Sequence, residues 1–321
     1  MKIYYDINEI PRNINRAITL GSFDGVHLGH LQILKKLKSE ARKKKLSTMI
    51  ITFEPHPQVY FSQQKKEIFP LLTTIEEKNS IFRVLGIDEV FIINFDSRIA
   101  NLDPVKFVTY YLQHIGFRSL AIGYNHSFGK NRKGNLKLLE KINEQNKTGH
   151  KKQFEIIQIP QYLKKQKKVS STEIRHTLME CKVENANALL GYDYFVTGVV
   201  SRGNGIGKKL GFPTANIKTS CNKLFPLNGA YICTVDIFGK LYHGVANIGY
   251  RPTVVNTNTS TTLPTLEVHI LDFLGDIYDV TVTVVFHKFL RKEEKFSNKS
   301  DLIQQIKNDI DTCKIFFDSQ Q

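Results

Sequence analysis

"GSFDGVHLGH", residues 21–30, packs three glycines, an acid and two histidines into ten positions. An apolar, β-rich run at 17–20 precedes it. An amphipathic run follows, in which Leu31, Leu34 and Leu37 recur among Lys35, Lys36 and Lys38. This order reads as a strand, a tight turn and a helix entry. Gly21 and Gly25 let the backbone turn tightly, and Gly29 leaves room at the helix entry. A helix N-terminus offers unpaired N–H groups and a partial positive charge, which suits phosphate. His27 and His30 stand about one turn apart, where their rings can donate hydrogen bonds to phosphoryl oxygens. No Gly-Lys-Ser/Thr follows, so this is not a P-loop, nor is it the dinucleotide G-x-G-x-x-G. Histidines without a P-loop lysine point to attack at an α-phosphate with pyrophosphate leaving.

Outward from this stretch the same alternation continues. Strand-like runs occur at 48–53, 90–95, 120–123 and 154–159. Between them, Thr74 and Glu77 form a capping box with Gly86 as a stop, and Asp103-Pro104 opens a helix that Gly116 ends. Strand–helix alternation predicts a parallel sheet covered on both faces. Beyond a second capping box, Ser170 and Glu173, and a short helix ending at Gly191, the pattern changes. Short β-rich runs with turns between them, including a tight hairpin at Phe238-Gly239-Lys240, predict an antiparallel barrel or sandwich. A polar amphipathic helix from Lys299 to about Phe316 closes the chain. The expected domains are residues 1–184 and 185–321.

Length and composition agree. The 321 residues suffice for two domains, with 41% hydrophobic and 23% charged residues. No apolar run approaches the roughly 18 residues of a spanning helix, so no membrane partner is expected. The N-terminus lacks an h-region and a cleavage site. Cys181, Cys221, Cys233 and Cys313 form no C-x-x-C pair, which fits a reduced, cytoplasmic location. The net charge of +15 suits anionic substrates or solvated lysine-rich faces. Without a zinc finger, an RNP-type motif or a helix-turn-helix pattern, nucleic acid is not expected as a partner. Protein partners are unknown, with weak self-association left open.

Three further segments lie where a parallel sheet puts its ligand loops: "FEPHP" (53–57), "GYNHSFGKNRKG" (123–134) and "VSSTEIR" (169–175). In the last, Ser171 and Thr172 add hydroxyls at a helix start and Arg175 follows one turn on, a second anion site. Together with residues 21–30, these closely resemble the FMN adenylyltransferase domain of bacterial bifunctional riboflavin kinase/FAD synthetases. The resemblance implies a nucleotidyltransferase fold. It implies that His27 and His30 contact ATP phosphates, with Gly21, Phe23, Asp24 and Gly29 around them, and that Asn125 helps bind phosphate. Ser171, Thr172 and Arg175 would hold the triphosphate, and Arg132 would lie on the flavin side. His126-Ser127 stand where the family frequently has Phe-Arg.

"GNGIGKKLGFPTANI" (203–217) is the informative stretch of the second half. Backbone amides at Gly205, Gly207 and Gly211 could cradle phosphates. Thr214 and Asn216, two apart on an extended segment, face one side and offer hard oxygen ligands suited to Mg²⁺. In "TLEVHILDF" (265–273), Glu267 and His269 share one strand face while Leu266, Val268 and Ile270 share the other. A carboxylate at Glu267 can accept a proton from a substrate hydroxyl. "GFPTANI", "GAYI", "ANIGYRPT", "LEVHILDF" and "FLRKEEKF" occur in the order of the riboflavin kinase module of the same family. The resemblance implies a six-stranded Greek-key barrel. Thr214 and Asn216 would hold Mg²⁺·ATP, with Lys208 and Pro213 in the phosphate loop. Glu267 would be the base for the riboflavin 5′-hydroxyl and Arg291 would lie near the flavin entrance. Lys208 replaces the usual Arg, and "VVNTNTSTTLP" (254–264) reads as a lid over the flavin.

The expected fold is therefore an α/β nucleotidyltransferase domain, a Rossmann-like parallel sheet, followed by an all-β Greek-key barrel with a C-terminal helix. The expected enzyme uses ATP and Mg²⁺ to turn riboflavin into FMN and FMN into FAD. Retention of only one activity, or a flavin-binding regulator, are the competing readings.

Overall fold

Strands form at Lys2–Tyr4 (β1), Arg16–Leu20 (β2), Ser47–Glu54 (β3), Glu89–Asn94 (β4), Phe117–Gly123 (β5) and Glu155–Ile159 (β6). They make one sheet in the order β1-β4-β3-β2-β5-β6, and every pairing is parallel. The chain steps outward from β2 to β3 and β4, then returns to lay β5 on the free side of β2. The order reverses between β2 and β5, so the loops leaving their carboxyl ends flank the crevice where such sheets bind ligands. Those loops are residues 21–27 and 124–135. β1 is an edge strand too short for the sequence pattern to register.

The computed structural model describes residues 1–149, 153–164, 167–203, 205–251 and 263–320. They divide into two compact units, Met1–Ser170 and Ser171–Gln321. In the first, Leu28–Lys44 (α1), Pro57–Gln64 (α2) and Ile75–Val84 (α3) are followed by the short pieces Ser97–Ala100 (α4), Pro104–Phe107 (α5) and Gln113–Ile115 (α6), then by Leu136–Thr148 (α7). Alternate strand residues feed two cores. Ile18, Met49, Ile51, Phe91 and Ile93 join one; Ala17, Ile50, Val90 and Ile92 join Leu34, Leu37 and Phe82 in the other. Burial of both faces is why these strands read as unbroken apolar runs. The Thr74–Glu77 capping box forms, Asp103 caps α5, and Gly116 ends α6 in the left-handed region at φ 74°. The opposite, amino-terminal edge of the sheet is locked by a buried ion pair. Arg16 Nε lies 2.6 Å from Glu89 Oε2, and Arg16 Nη1 also donates to the carbonyls of Pro11 and Ile115. A small ribbon pairs Leu163–Lys164 (β7) with Lys167–Lys168 (β8).

The second unit opens with Ser171–Met179 (α8) and Val183–Leu190 (α9), the latter ended by Gly191 at φ 86°. Six strands then close a barrel: Phe195–Ser201 (β9), Ala215–Lys218 (β10) after the short turn Ile206–Lys209 (α10), Gly229–Ile237 (β11), Lys240–Arg251 (β12), Leu263–Ile270 (β13) and Thr281–Arg291 (β14). The order is β10-β13-β12-β11-β14-β9, with all pairings antiparallel. Closure leaves no sheet edge exposed. β11 and β12 join through Phe238 and Gly239 at φ 53° and 83°, the positive values a two-residue hairpin loop demands. The final helix, Lys299–Asp318 (α11), buries Cys313 against Ile232 and Leu271 and stacks Phe317 on His243 at 3.8 Å. Of the expected lid, residues 254–262 lie outside the described residues.

Candidate active sites

The turn of residues 21–27 is bent by three positive backbone angles: Phe23 at 50°, Gly25 at 79° and Val26 at 34°. Only glycine adopts such values freely, so Phe23 and Val26 carry strain that their neighbours must hold. The hold is visible. Phe23 and Val26 are buried, at 2% and 0% exposure, in the core beneath α1. Asp24 Oδ1 accepts from the N–H groups of Leu72 and Thr73, and Thr73 Oγ1 accepts from Gly25 N–H. Asp24 was expected around the ATP phosphates. It is 2% exposed and bonded to two amides, so its work is to pin the turn to the start of α3.

His27 caps α1, its Nδ1 accepting from His30 N–H at 3.4 Å. That bond puts the proton of a neutral His27 on Nε2, the donor needed for a phosphoryl oxygen. The rings of His27 and His30 stack at 3.7 Å with 13° between planes. Gly29 makes this possible: a Cβ there would lie 3.2 Å from His27 Nδ1 and Cε1. Phe23 meets His30 edge-on at 5.2 Å. Burial, with His27 and Lys78 beside it, holds His30 well below the usual histidine range, so its ring is neutral. Its Nδ1 is buried without a partner among the described residues.

"FEPHP" supplies structure more than ligand. His56 caps α2 through Nδ1 and stacks on Phe69. Asn125 is exposed at the end of β5, across the crevice entrance from residues 21–27. Beside it, Arg132 Nε donates to Ser127 Oγ at 2.7 Å, so the Ser that replaces Arg still positions a guanidinium. Burial, and Arg132 nearby, push His126 down to about 4. Ser171 and Thr172 begin α8, with Arg175 one turn on, in the second unit. Lys78 on α3 had no motif to reveal it. It is 2% exposed, donates to the Ser22 carbonyl at 3.3 Å, and is held low by burial against the opposing pull of Asp24, Glu54 and Glu76.

In the barrel, Thr214 Oγ1 donates to Glu267 Oε2 at 3.3 Å. Asn216 is the register partner of Glu267 across β10 and β13. On the other flank of Glu267 stands Asn247, its partner across β12 and β13. Asn247 was missed because an Asn within an apolar strand gives no sign of its cross-strand neighbour. Residues 265–270 alternate partly buried and buried, with Glu267 and His269 on the accessible face. His269 Nδ1 lies 2.8 Å from the Pro213 carbonyl, fixing the segment before Thr214. The glycine loop presses on these groups. A Cβ on Gly203 would fall 2.2 Å from Asn216 Nδ2, and one on Gly207 would fall 3.3 Å from Thr214 Oγ1. Gly205 and Gly211 take φ 68° and 88° with open space around them, and Lys208 is exposed beside them.

One expectation changes here. The Gly211 amide donates to the Lys208 carbonyl at 3.2 Å, closing the turn, so it does not point into a phosphate cradle. Arg291, expected near the flavin entrance, is held within the barrel domain. Its Nε and Nη2 grip Asp309 at 2.8 to 3.1 Å and its guanidinium packs on Phe296, which fastens α11 to the barrel. An unpaired Arg in a "FLRK" string gave no view of a partner eighteen positions away.

A parallel sheet with a histidine-lined turn at its reversal point, followed by a barrel presenting a hydroxyl, an amide and a carboxylate together, suits a two-centre phosphate-transferring enzyme. Residues 9–173 match the FAD synthetase family and residues 190–317 match the riboflavin kinase family. Proteins named bifunctional riboflavin kinase/FMN adenylyltransferase are similar along nearly the whole length. The one from Listeria monocytogenes is 34% identical, covering 95% of this chain and 93% of its own. That from Buchnera aphidicola (Schizaphis graminum) is 36% identical over 99% of each, and that from Escherichia coli K12 is 35% identical over 98% and 96%. A solved structure described as a macrolide-efflux protein from Streptococcus pneumoniae superposes with a TM-score of 0.82 at 26% identity, covering 97% of this chain and 98% of that one. The chain belongs to the bifunctional riboflavin kinase/FMN adenylyltransferase family. Among its described residues no helix is long and apolar enough to cross a membrane.

Proposed function

We propose that the barrel phosphorylates riboflavin and that the parallel-sheet domain then adenylylates the FMN formed. The observation that carries this is the succession of both family regions on one chain, each with its own polar cluster. In the barrel, Glu267 takes the proton of the riboflavin 5′-hydroxyl. The freed oxygen bonds to the γ-phosphorus of ATP as the bond to the β-phosphate oxygen breaks and ADP leaves. Thr214 Oγ1 and the Asn216 amide oxygen are hard neutral donors beside that carboxylate and suit Mg²⁺ carried by the ATP phosphates. When bound, the ion neutralises phosphate charge. Gly205 and Gly207 let the loop come close to the phosphates, with Lys208 as a point charge over them.

In the sheet domain, a phosphate oxygen of FMN bonds to the α-phosphorus of ATP and the bond to the pyrophosphate oxygen breaks. His27 and His30, as hydrogen-bond donors, stabilise charge on the departing pyrophosphate. The start of α1 favours the same anion. Asn125 is assigned to phosphate and Arg132 to the flavin side. Ser171, Thr172 and Arg175 are assigned to the triphosphate on the strength of the family motif. The functional boundary is proposed between residues 184 and 185, a reading supported by the family matches ending at 173 and restarting at 190. A cytoplasmic location is part of the same reading, supported by the likeness to bacterial riboflavin kinase/FMN adenylyltransferases.

The test is a time course with riboflavin, ATP and Mg²⁺, the flavins resolved by chromatography. FMN followed by FAD is expected. FMN that never becomes FAD, even when supplied as substrate, refutes the second step. No flavin product refutes both.

A further inference from the structure

Lys78 is a buried cation with no ion-pair partner within 4 Å among the described residues. Its ammonium has three donors, and its hydrogen bond in the structure is the one to the Ser22 carbonyl at 3.3 Å. That carbonyl also accepts from Thr52 Oγ1 at 3.4 Å, so Lys78 joins α3 and β3 at the turn of residues 21–27. The same turn is already bound to the start of α3 by Asp24, Gly25 and Thr73. An apolar residue in place of Lys78 would leave all of those bonds in place. A buried charge whose nearest carboxylates stand beyond ion-pair distance is costly, so its presence calls for a use.

The use lies next to it. The stacked pair of His27 and His30 tolerates little positive charge, because two facing imidazolium rings at 3.7 Å would repel. His30 faces His27, Phe23 and the charge of Lys78. Lys78 in turn faces the carboxylates of Asp24, Glu54 and Glu76. Glu54 is itself pushed up by burial, against the pull of Lys78. We propose that Lys78 is a positioning residue for adenylyl transfer, holding the 21–27 turn through the Ser22 carbonyl and setting a fixed charge beside His30. This inference rests on the adenylyl-transfer reading given above.

The experiment uses the full chain, with Lys78→Gln and Lys78→Arg. Gln keeps a donor for Ser22 and loses the charge; Arg keeps the charge. Three quantities are read: FMN adenylylation against pH, riboflavin phosphorylation, and the titration of the His30 ring by NMR in histidine-labelled protein. For Lys78→Gln, kcat/KM for adenylyl transfer falls on the order of a hundredfold, the loss a misplaced catalytic group brings. Riboflavin phosphorylation stays within twofold. The His30 midpoint rises by the part Lys78 supplies, while burial and His27 still hold it low, and the acid limb of adenylyl transfer rises with it. Lys78→Arg restores both midpoints. A Lys78→Gln enzyme within threefold of wild type overturns the proposal, as does one that loses rate while the His30 midpoint stays put. If Lys78→Gln does not fold, Lys78→Arg decides: a wild-type midpoint and rate support the proposal, and a loss beyond tenfold overturns it. Wild-type protein that makes no FAD refutes the functional reading instead, and the His30 midpoint in the Gln variant still decides the role of Lys78.

Discussion

Gly203→Ala is a small change aimed at one side chain. The added Cβ would sit 2.2 Å from Asn216 Nδ2, 2.7 Å from its Cγ and 2.9 Å from its Oδ1. Contact below 3.0 Å cannot persist, so something must retreat by about an ångström. The Asn216 backbone cannot, because β10 is paired on both sides, to Ser201 in β9 and to Glu267 in β13. The amide must therefore rotate away from Thr214 and Glu267. A displacement of that size in a positioning group costs on the order of a hundredfold in rate. The assay is riboflavin phosphorylation by the full chain, with FMN adenylylation measured on the same preparation. The kinase step should fall by roughly that factor, while adenylylation stays within twofold. Raising Mg²⁺ should recover part of the loss, since the weakened group is an oxygen ligand. A Gly203→Ala enzyme that phosphorylates riboflavin within threefold of wild type would refute the reasoning: the position of Asn216 would then be irrelevant to the reaction.

Other outcomes follow from the same geometry. Glu267→Gln keeps the size of the side chain and removes the base, so riboflavin phosphorylation should drop about 10²- to 10⁴-fold with FMN adenylylation unchanged; equal loss of both would point to misfolding. Glu89→Ala leaves the fully buried Arg16 without its counter-charge and should cost about 3 to 5 kcal/mol, read as an earlier urea transition of the first unit; a cost below about 1 kcal/mol would mean Arg16 finds another partner. His126 stays neutral in the folded chain down to about 4, while an unfolded histidine takes its proton near 6.5. Stability should therefore be whole above about pH 6.5 and fall as pH drops toward 4, and His126→Phe should flatten that slope; an unchanged slope would show that other groups set it.

Much of this protein was legible from local pattern. The apolar runs at 48–53 and 90–95 read as strands because parallel strands bury both faces, and they form β3 and β4. Thr74-x-x-Glu77 signalled a helix start because a capping box closes within four residues. Glycine spacing in residues 21–30 disclosed a strand–turn–helix with histidines at its mouth, since those constraints act between chain neighbours. Two domains and their classes were readable in that way, while the two chemical centres were implied by the family resemblance.

Partnerships between distant segments were decided by the tertiary structure. That Lys78 touches Ser22, that Asn247 flanks Glu267, and that Arg291 is bound to Asp309 depend on which strands and helices become neighbours. A charged or amide side chain carries the same one-letter code whether it meets substrate, solvent or a carboxylate. Asp24 and Arg291 show the consequence: the family resemblance implied a ligand contact, and the fold supplies each with hydrogen-bonding partners of its own. Local sequence determines backbone form because propensity, capping and glycine freedom act over a few residues. Side-chain roles wait on packing, because desolvation and pairing energies belong to the surroundings that the folded chain creates.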